Sequence, residues 1–406
     1  MAKRHVLDGV RVLDFSQHVA GPACTRMMAE MGAEVIKLEL APLGEQIRNV
    51  GFKVNGRSVY FIQQNRGKKS VCVDMKSAAG RDLVYDLVKQ VDVVIENFAP
   101  GAIARLGLPW AKVRELNPNA IMCSVSTFGQ EGPLAGLPGY DFIGQAYAGI
   151  TGMIGDRDNG PYIPIAALGD TATAAHALAA INAALYHRAT GGGGQFLDIS
   201  LLDCYFHSHE MNVGAISASQ GAIDPYLPGR YHQAVAPLGV YKSKDGYLIL
   251  IAILARWKDF CAAMGRPELA TDPRFVDDPA RVVHHAELKV LIEDWLQSQE
   301  SDAATIRLLG EHHVPVAPIL SIRQVMEHPH MRQRGTVRSV TDRGAGSFEM
   351  PGMPLRFSGF ANDLDLQAPY LGEHNAAVLG GLLGLSAERI AGLTAEGVLV
   401  AEPIPA

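Results

Sequence analysis

The apolar and polar positions of the first 200 residues alternate between two periods. Val10-Arg11-Val12-Leu13-Asp14-Phe15 alternates and predicts a strand. After a loop containing Gly21-Pro22, residues 23–32 predict a short helix closed by glycine, and Glu34-Val35-Ile36-Lys37-Leu38-Glu39 predicts a second strand. Strand, helix and strand in so short a span form a βαβ unit, which implies a parallel sheet. The alternation continues with a strand at 70–74, an amphipathic helix at 77–90, a strand at 91–96, a short helix at 102–107 and a strand at 120–126 that runs into a Gly/Pro-rich loop at 129–139. The pattern predicts an α/β fold.

Two joints in this series carry glycine. In Pro164-Ile165-Ala166-Ala167-Leu168-Gly169-Asp170-Thr171-Ala172-Thr173 an apolar run ends, and a helical pattern dense in alanine extends to about residue 189. That composition predicts a slim, central, buried helix. Asp170 stands at its start, where an aspartate serves either as the N-cap or as a carboxylate nucleophile presented at a helix terminus. The local sequence leaves both open. The helix ends at Thr190-Gly191-Gly192-Gly193-Gly194-Gln195. A phosphate-binding P-loop needs Lys and Ser/Thr after its last glycine and a helix beyond; here a strand-like segment follows, so the glycines predict a C-cap and a tight turn.

From about residue 225 the texture changes. A Pro-, Gly- and aromatic-rich segment leads to a hairpin over 239–250 turned at Asp245-Gly246, followed by helices at 257–264, 286–299 and 302–312. Residues 228–326 read as a smaller α+β domain. Residues 328–346 read as a polar loop, 347–357 as a short, Pro-interrupted strand, and 376–400 as helical.

The 406 residues suffice for two or three domains. A formal net charge of −6 gives no reason to expect nucleic acid or acidic membranes as partners. The N-terminal residues lack the apolar core of a signal peptide, and no apolar run approaches the roughly 20 residues that cross a bilayer. The five cysteines are widely spaced with no Cys-x-x-Cys pair, which fits a reducing, cytoplasmic location and indicates no cysteine metal site.

Several chemistries are poorly supported. The turn after the first strand has one glycine where a dinucleotide fingerprint needs three. Gly-x-Ser-x-Gly and His-Glu-x-x-His are absent. The pairs His207 and His209, His284-His285 and His312-His313 read as surface or core histidines, so no metal is expected. Asn65-Arg66-Gly67-Lys68-Lys69-Ser70-Val71 places three cations in a glycine loop with Lys76 beyond; they are either solvated or placed for ligand phosphates. Asn97-Phe98-Ala99-Pro100-Gly101 follows the carboxyl end of a strand, where parallel sheets bind ligands, and Arg105 lies on the helix after it.

Taken in order, these segments resemble the class III CoA-transferases (the CaiB/BaiF type), which include formyl-CoA, carnitine and succinyl-CoA:dicarboxylate CoA-transferases. The resemblance covers nearly the whole chain. It runs from Leu7-Asp8-Gly9-Val10-Arg11-Val12-Leu13-Asp14-Phe15 through Met31-Gly32-Ala33-Glu34-Val35-Ile36-Lys37-Leu38-Glu39, the Asn65–Val71 and Glu96–Gly101 segments, Gly139-Tyr140-Asp141 and Leu168-Gly169-Asp170 to Leu371-Gly372-Glu373-His374. It implies a large Rossmann-like domain built from both chain ends, with 1–205 as its first part, 206–227 as a linker, 228–326 as the small domain and 327–406 as a linker and returning part. It implies an interlocked homodimer, no tightly bound cofactor, and acyl-CoA as substrate. It implies Asp170 as the nucleophile, Tyr60, Tyr140 and Asp141 beside it, and CoA contacts at His18, Val73, Lys76, Asn97, Phe98, Arg105 and Leu106. Backbone N–H groups at the helix start are expected to stabilise the oxyanions.

The chain also departs from the family pattern. Some relatives carry arginine where Leu40 stands. The glycine-rich flap of formyl-CoA members is replaced by Arg230-Tyr231-His232-Gln233-Ala234-Val235-Ala236-Pro237. A C4–C6 dicarboxylate therefore fits better than oxalate as acceptor, with Arg48 or Arg230 proposed to pair its distal carboxylate. Three rivals stay open: an isomerase moving CoA within one molecule, an α-methylacyl-CoA racemase of the same fold, and a non-catalytic CoA-binding protein. A racemase would use histidine where Tyr140 stands, and tyrosine, which ordinarily ionises near pH 10, is a poor base at about pH 7.

Overall fold

A computed structural model of the chain describes residues 5–361, 364 and 366–404. It divides into two compact units, one gathering 1–148, 164–209 and 329–406, the other 149–163 and 210–328.

The first unit is built on a six-stranded, all-parallel sheet: β1 (Arg11–Asp14), β2 (Glu34–Leu40), β3 (Lys68–Val73), β4 (Val93–Glu96), β5 (Ile121–Ser126) and β6 (Phe196–Ser200). The strand order is β6-β5-β4-β1-β2-β3. Both faces of the sheet are covered, which is why its strands read as apolar runs. Successive residues feed opposite cores. Leu13, Ile36 and Val94 pack with α3 (Ala78–Val88) and the C-terminal helices Asn375–Leu383 and Ala387–Ala395. Val12, Val35 and Val93 pack with α1 (Ala20–Glu30) and α5 (Leu168–Ala189). Three shorter helices join them: α2 (Val59–Asn65), α4 (Asp141–Tyr147) and α6 (Leu201–His207).

Three expectations change here. Helix α5 buries only one face, through Ala174, Ala177, Leu178, Ile181 and Ala184, while Ala175, Ala179, Ala183 and Tyr186 are exposed. It also begins at Leu168, three residues earlier than the sequence indicated. Residues 328–346, read as a loop, contain the helix Pro329–Gln333 and the strand Val337–Asp342, which pairs antiparallel with Gly346–Pro351. Asp342 in that turn takes both guanidinium arms of Arg57, at 2.8 and 2.9 Å. The glycine run is a turn: Gly191 has φ +99°, and a Cβ on Gly194 would lie 2.1 Å from the Ala120 carbonyl oxygen, so the chain passes close to β5 before entering β6.

Leu371-Gly372-Glu373-His374 closes the β3 edge. Gly372 N–H donates to Ser70 Oγ at 2.8 Å, and Cys72 N–H donates to Asn375 Oδ1 at 3.0 Å.

The second unit holds a three-stranded antiparallel sheet of Leu238–Lys242, Tyr247–Ile251 and Val316–Pro318, with helices that enclose Tyr241, Leu248, Trp257, Phe260 and Ile292. The linker expected at 206–227 contains the helix Asn212–Ala218, and residues 210–227 belong to this unit.

Candidate active site

The strand order reverses between β1 and β4, so the loops leaving their carboxyl ends diverge and open a crevice, the usual ligand site of such sheets. A cavity of about 290 Å³ lies there, with Gln17, His18, Asn97, Phe98, Phe128 and Tyr140 in its wall. The two loops are stitched together. Gln17 N–H donates to Asn97 Oδ1 at 2.6 Å, and Asn97 Nδ2 donates back to the Gln17 carbonyl at 2.7 Å. Beneath Phe98, its N–H donates to Glu96 at 2.7 Å, and burial pushes the Glu96 carboxyl up to about 7.

His18 holds a left-handed backbone, φ 63°, and its N–H donates to Glu45 Oε1 at 2.8 Å. Glu45 opens on a buried ionic cluster under the β1 loop. Lys37 pairs with Glu45 at 2.7 Å and donates to the Ser16 carbonyl. Lys68 pairs with Asp14 at 2.9 Å, and Thr25 and Ser16 donate to the same carboxylate. Burial works to raise the Asp14 carboxyl, but Lys68, Lys37 and the two hydroxyls overcome it and hold it well below the usual range.

Two cations of the basic loop are buried and structural, which neither sequence reading anticipated, while the third is solvated. Arg66 is buried against Glu30 at 2.6 Å, Lys68 against Asp14, and Lys69 reaches Glu34 at 2.6 Å. Arg66 and Lys68 are thus held in buried pairs away from any phosphate, and Lys69 lies half-exposed beside Glu34. Arg48 is also engaged: it makes a two-armed pair with Glu39 at 2.7 Å in each arm and stacks 3.8 Å over Phe61, so it ties the end of β2 to α2. Arg230 lies in the second unit, stacked 5.3 Å from the Tyr247 ring.

The remaining expected CoA contacts sit at the carboxyl edge of the sheet. Val73 ends β3 and is fully buried, and Lys76 follows it, exposed. Arg105 lies on the short helix after the Asn97 loop, and its guanidinium folds back so that a Cβ on Gly101 would stand 3.2 Å from Nη1. Leu106 packs on the core beneath. Neither Lys76 nor Arg105 has a carboxylate partner among the described residues.

Asp170 occupies the first turn of α5. The residue at the cap position is Ala167, which offers no side-chain bond, so Asp170 is not the N-cap. Its half-buried carboxylate is not engaged in capping, and burial, then the charge of Asp141, push it up to about 7. Tyr60 faces it: burial and then Asp170 push that phenol up to about 12. Asp141, which opens α4, accepts from Tyr205 Oη at 2.6 Å, and Gly169 N–H donates to the same oxygen of Tyr205 at 2.8 Å. Burial raises Asp141, partly offset by Tyr205 and by the amides of Asp170 and Gly169. Tyr140, just before α4, is exposed, with its ring edge-on to His18 at 6.2 Å.

The amides of the first turn are therefore taken: Leu168 N–H goes to the Ala166 carbonyl at 2.8 Å, and that of Gly169 goes to Tyr205. They are not the free oxyanion donors expected from the helix start. Gly169 is required for another reason. A Cβ there would lie 2.0 Å from Tyr205 Cε2 and 2.4 Å from Asp141 Oδ1. Gly169→Ala is expected to push these groups apart and lower turnover by about 100-fold, since a misplacement of about 1 Å costs that much. Turnover beside an unchanged circular dichroism spectrum checks it.

Among the described residues, no group of three or more His, Cys, Asp or Glu could hold a metal ion, and no helix is long and apolar enough to cross a membrane.

A doubly wound α/β unit with a ligand crevice at its switch point, and a carboxylate without a capping role at a helix start, defines an α/β protein equipped for carboxylate chemistry. The chain belongs to CoA-transferase family III, whose model matches residues 7–375. It is 34% identical over 404 residues to the succinyl-CoA–D-citramalate CoA-transferase of Chloroflexus aurantiacus, covering 97% of this chain and 98% of that one. It is 32% identical over 416 residues to a formyl-CoA:oxalate CoA-transferase of Escherichia coli, covering 95% and 98%. Among solved structures it is similar to a CaiB/BaiF family protein from Brucella suis, with a TM-score of 0.80, 33% identity, and 94% and 100% of the two chains covered. The protein is thus an enzyme of the CoA-transferase type.

Proposed function

We propose that the protein moves CoA from an acyl-CoA donor to a small dicarboxylic acid through covalent intermediates on Asp170. The observation that carries this reading is the Asp170 carboxylate: half-buried, without a capping bond and adjacent to a second carboxylate. Asp170 attacks the thioester carbonyl. The C–S bond breaks, CoA leaves as its thiolate, and an aspartyl–acyl anhydride remains. The thiolate then attacks the aspartyl carbonyl, releasing the donor acid and leaving an aspartyl-CoA thioester. The acceptor carboxylate attacks that thioester to give a second anhydride and thiolate, and thiolate attack on the acceptor's carbonyl yields the new acyl-CoA and free Asp170. Each step exchanges one acyl bond for another, so no external energy source enters. Because water would hydrolyse the anhydride, the crevice must close around it.

Succinyl-CoA is the proposed donor, in keeping with the name of the Chloroflexus relative. His18, Asn97 and Phe98 bind CoA in the crevice, with the unpaired Lys76 and Arg105 toward its phosphates. We place Tyr60, Tyr140 and Asp141 around the reacting acyl group. A homodimer, interlocked as in the family, covers the exposed Ile165, Tyr186 and Phe206, and light scattering at twice the chain mass checks it. The buried, unpaired cysteines suit the cytoplasm.

The attacking form is the carboxylate. Since Asp170 ionises near 7, the rate of its acylation by succinyl-CoA should fall about tenfold per pH unit below that value and level off above it. A profile flat from pH 5 to about 8 contradicts the assignment.

A further inference from the structure

Tyr205 belongs to no motif, yet it is the side chain on which the nucleophile's surroundings converge. It lies in α6, 4% exposed. An amide has only hydrogen to offer, so Tyr205 Oη accepts from Gly169 N–H, and its own hydrogen points to Asp141 Oδ1. The direction of both bonds is thereby fixed. The absent Cβ of Gly169 leaves the ring and Asp141 in close contact with the α5 backbone. On one side of this junction stands Asp141 and on the other Asp170.

We propose that Tyr205 is a positioning residue for the nucleophile: its hydroxyl pins Asp141 as an anion against the first turn of α5 and so sets the charge that Asp170 faces when it attacks. The inference rests on the reading of Asp170 as nucleophile.

The ionisable groups facing Asp170 are Asp141 from α4, Tyr205 from α6 and Tyr60 from α2. Those facing Asp141 are Tyr205 and Asp170, together with the amides of residues 169 and 170. Cys204, beside Tyr205, is buried, and burial raises its thiol. Burial and then Asp141 push the Tyr205 phenol far up, so it stays a donor across the neutral range. A carboxylate beside a held anion is a stronger base and a better nucleophile toward a thioester. Without the hydroxyl, Asp141 loses a bond that favours its charged form. The proton shared by the pair then moves toward Asp141, and Asp170 ionises at lower pH but attacks more weakly.

The test is the rate of Asp170 acylation by succinyl-CoA against pH, by rapid quench and peptide mass spectrometry, in wild type, Tyr205→Phe, Asp141→Asn and the double variant. Tyr205→Phe should lower the limiting rate about 10- to 100-fold, leave KM for acyl-CoA within about 2-fold, and move the acid limb to lower pH. Because Tyr205 acts through Asp141, adding Tyr205→Phe to Asp141→Asn should cost no more than about 2-fold further. A residue serving only the packing would give multiplied losses and an unmoved limb. That outcome, or a loss confined to KM, overturns the inference. Should Tyr205→Phe fail to fold, fluorotyrosines of decreasing hydroxyl pKa at 205 keep the ring and both bonds. The rate must then vary steadily with donor strength, and a flat series overturns the proposal. Absence of any Asp170 adduct in wild type would instead remove the nucleophile reading itself.

Discussion

Asp170→Ala is expected to abolish CoA transfer, with turnover at least about 10⁴-fold below wild type, while CoA binding and the native fold persist. The size of the loss follows from covalent catalysis: without the carboxylate neither the anhydride nor the enzyme-bound thioester can form, and the donor's C–S bond stays intact. Retained folding follows from the place of the residue. Asp170 is half-buried and caps nothing, and the groups that hold the start of α5 are Gly169, Tyr205 and Asp141. Removing its side chain breaks no bond of the helix and relieves the repulsion from Asp141. Isothermal titration with CoA and a steady-state transfer assay, run on one preparation, separate the two expectations. Near-normal turnover would refute the role; loss of CoA binding together with turnover would mark Asp170 as structural.

The second large effect is on stability. Asp14→Ala should destabilise the protein by about 3–5 kcal/mol, because it leaves Lys68 buried without its partner and takes a counter-charge from Lys37. Both members of the Asp14–Lys68 pair are fully buried, so water cannot replace what is removed. Replacing both residues together, Asp14→Leu with Lys68→Met, should recover most of the loss, since the cost lies in the uncompensated charge. Urea unfolding of the three proteins checks this, and a double variant no more stable than Asp14→Ala would contradict it. The sign with pH follows from the depressed carboxyl. The contribution of Asp14 is fully present above the unfolded value of about 4, and it is lost only as pH falls through the much lower native value.

The sheet was legible in the sequence because buried parallel strands are short apolar runs between polar helices, and β1 to β6 lie where those runs lie. The site was legible in part. His18, Asn97, Phe98 and Tyr140 were named from segments far apart in the chain and stand around one cavity. The start of α5 was misplaced for a local reason: Ala167 caps the helix without a side chain, so the aspartate three residues on looked like the cap. The basic loop was misread for a tertiary one. Its cations find Glu30, Asp14 and Glu34 at sequence separations of 36, 54 and 35, and no local pattern reports a partner on another element. Arg48 looked available because its partner, Glu39, read only as the end of a strand. The strand at Val337–Asp342 was hidden by its composition: Arg and Ser separate its two valines, Thr follows the second, and only Asp342 is fully buried. Tyr205 gave no signal at all. Its role depends on Gly169 and Asp141, 36 and 64 residues away.

The most direct test of the covalent reading is to trap the intermediate. Wild-type protein is incubated with succinyl-CoA, quenched with hydroxylamine or borohydride, digested and mapped by mass spectrometry. Modification at Asp170, dependent on succinyl-CoA and absent without it, is the expected result. An unmodified Asp170 in protein that is turning over, or a label on another residue, would contradict it.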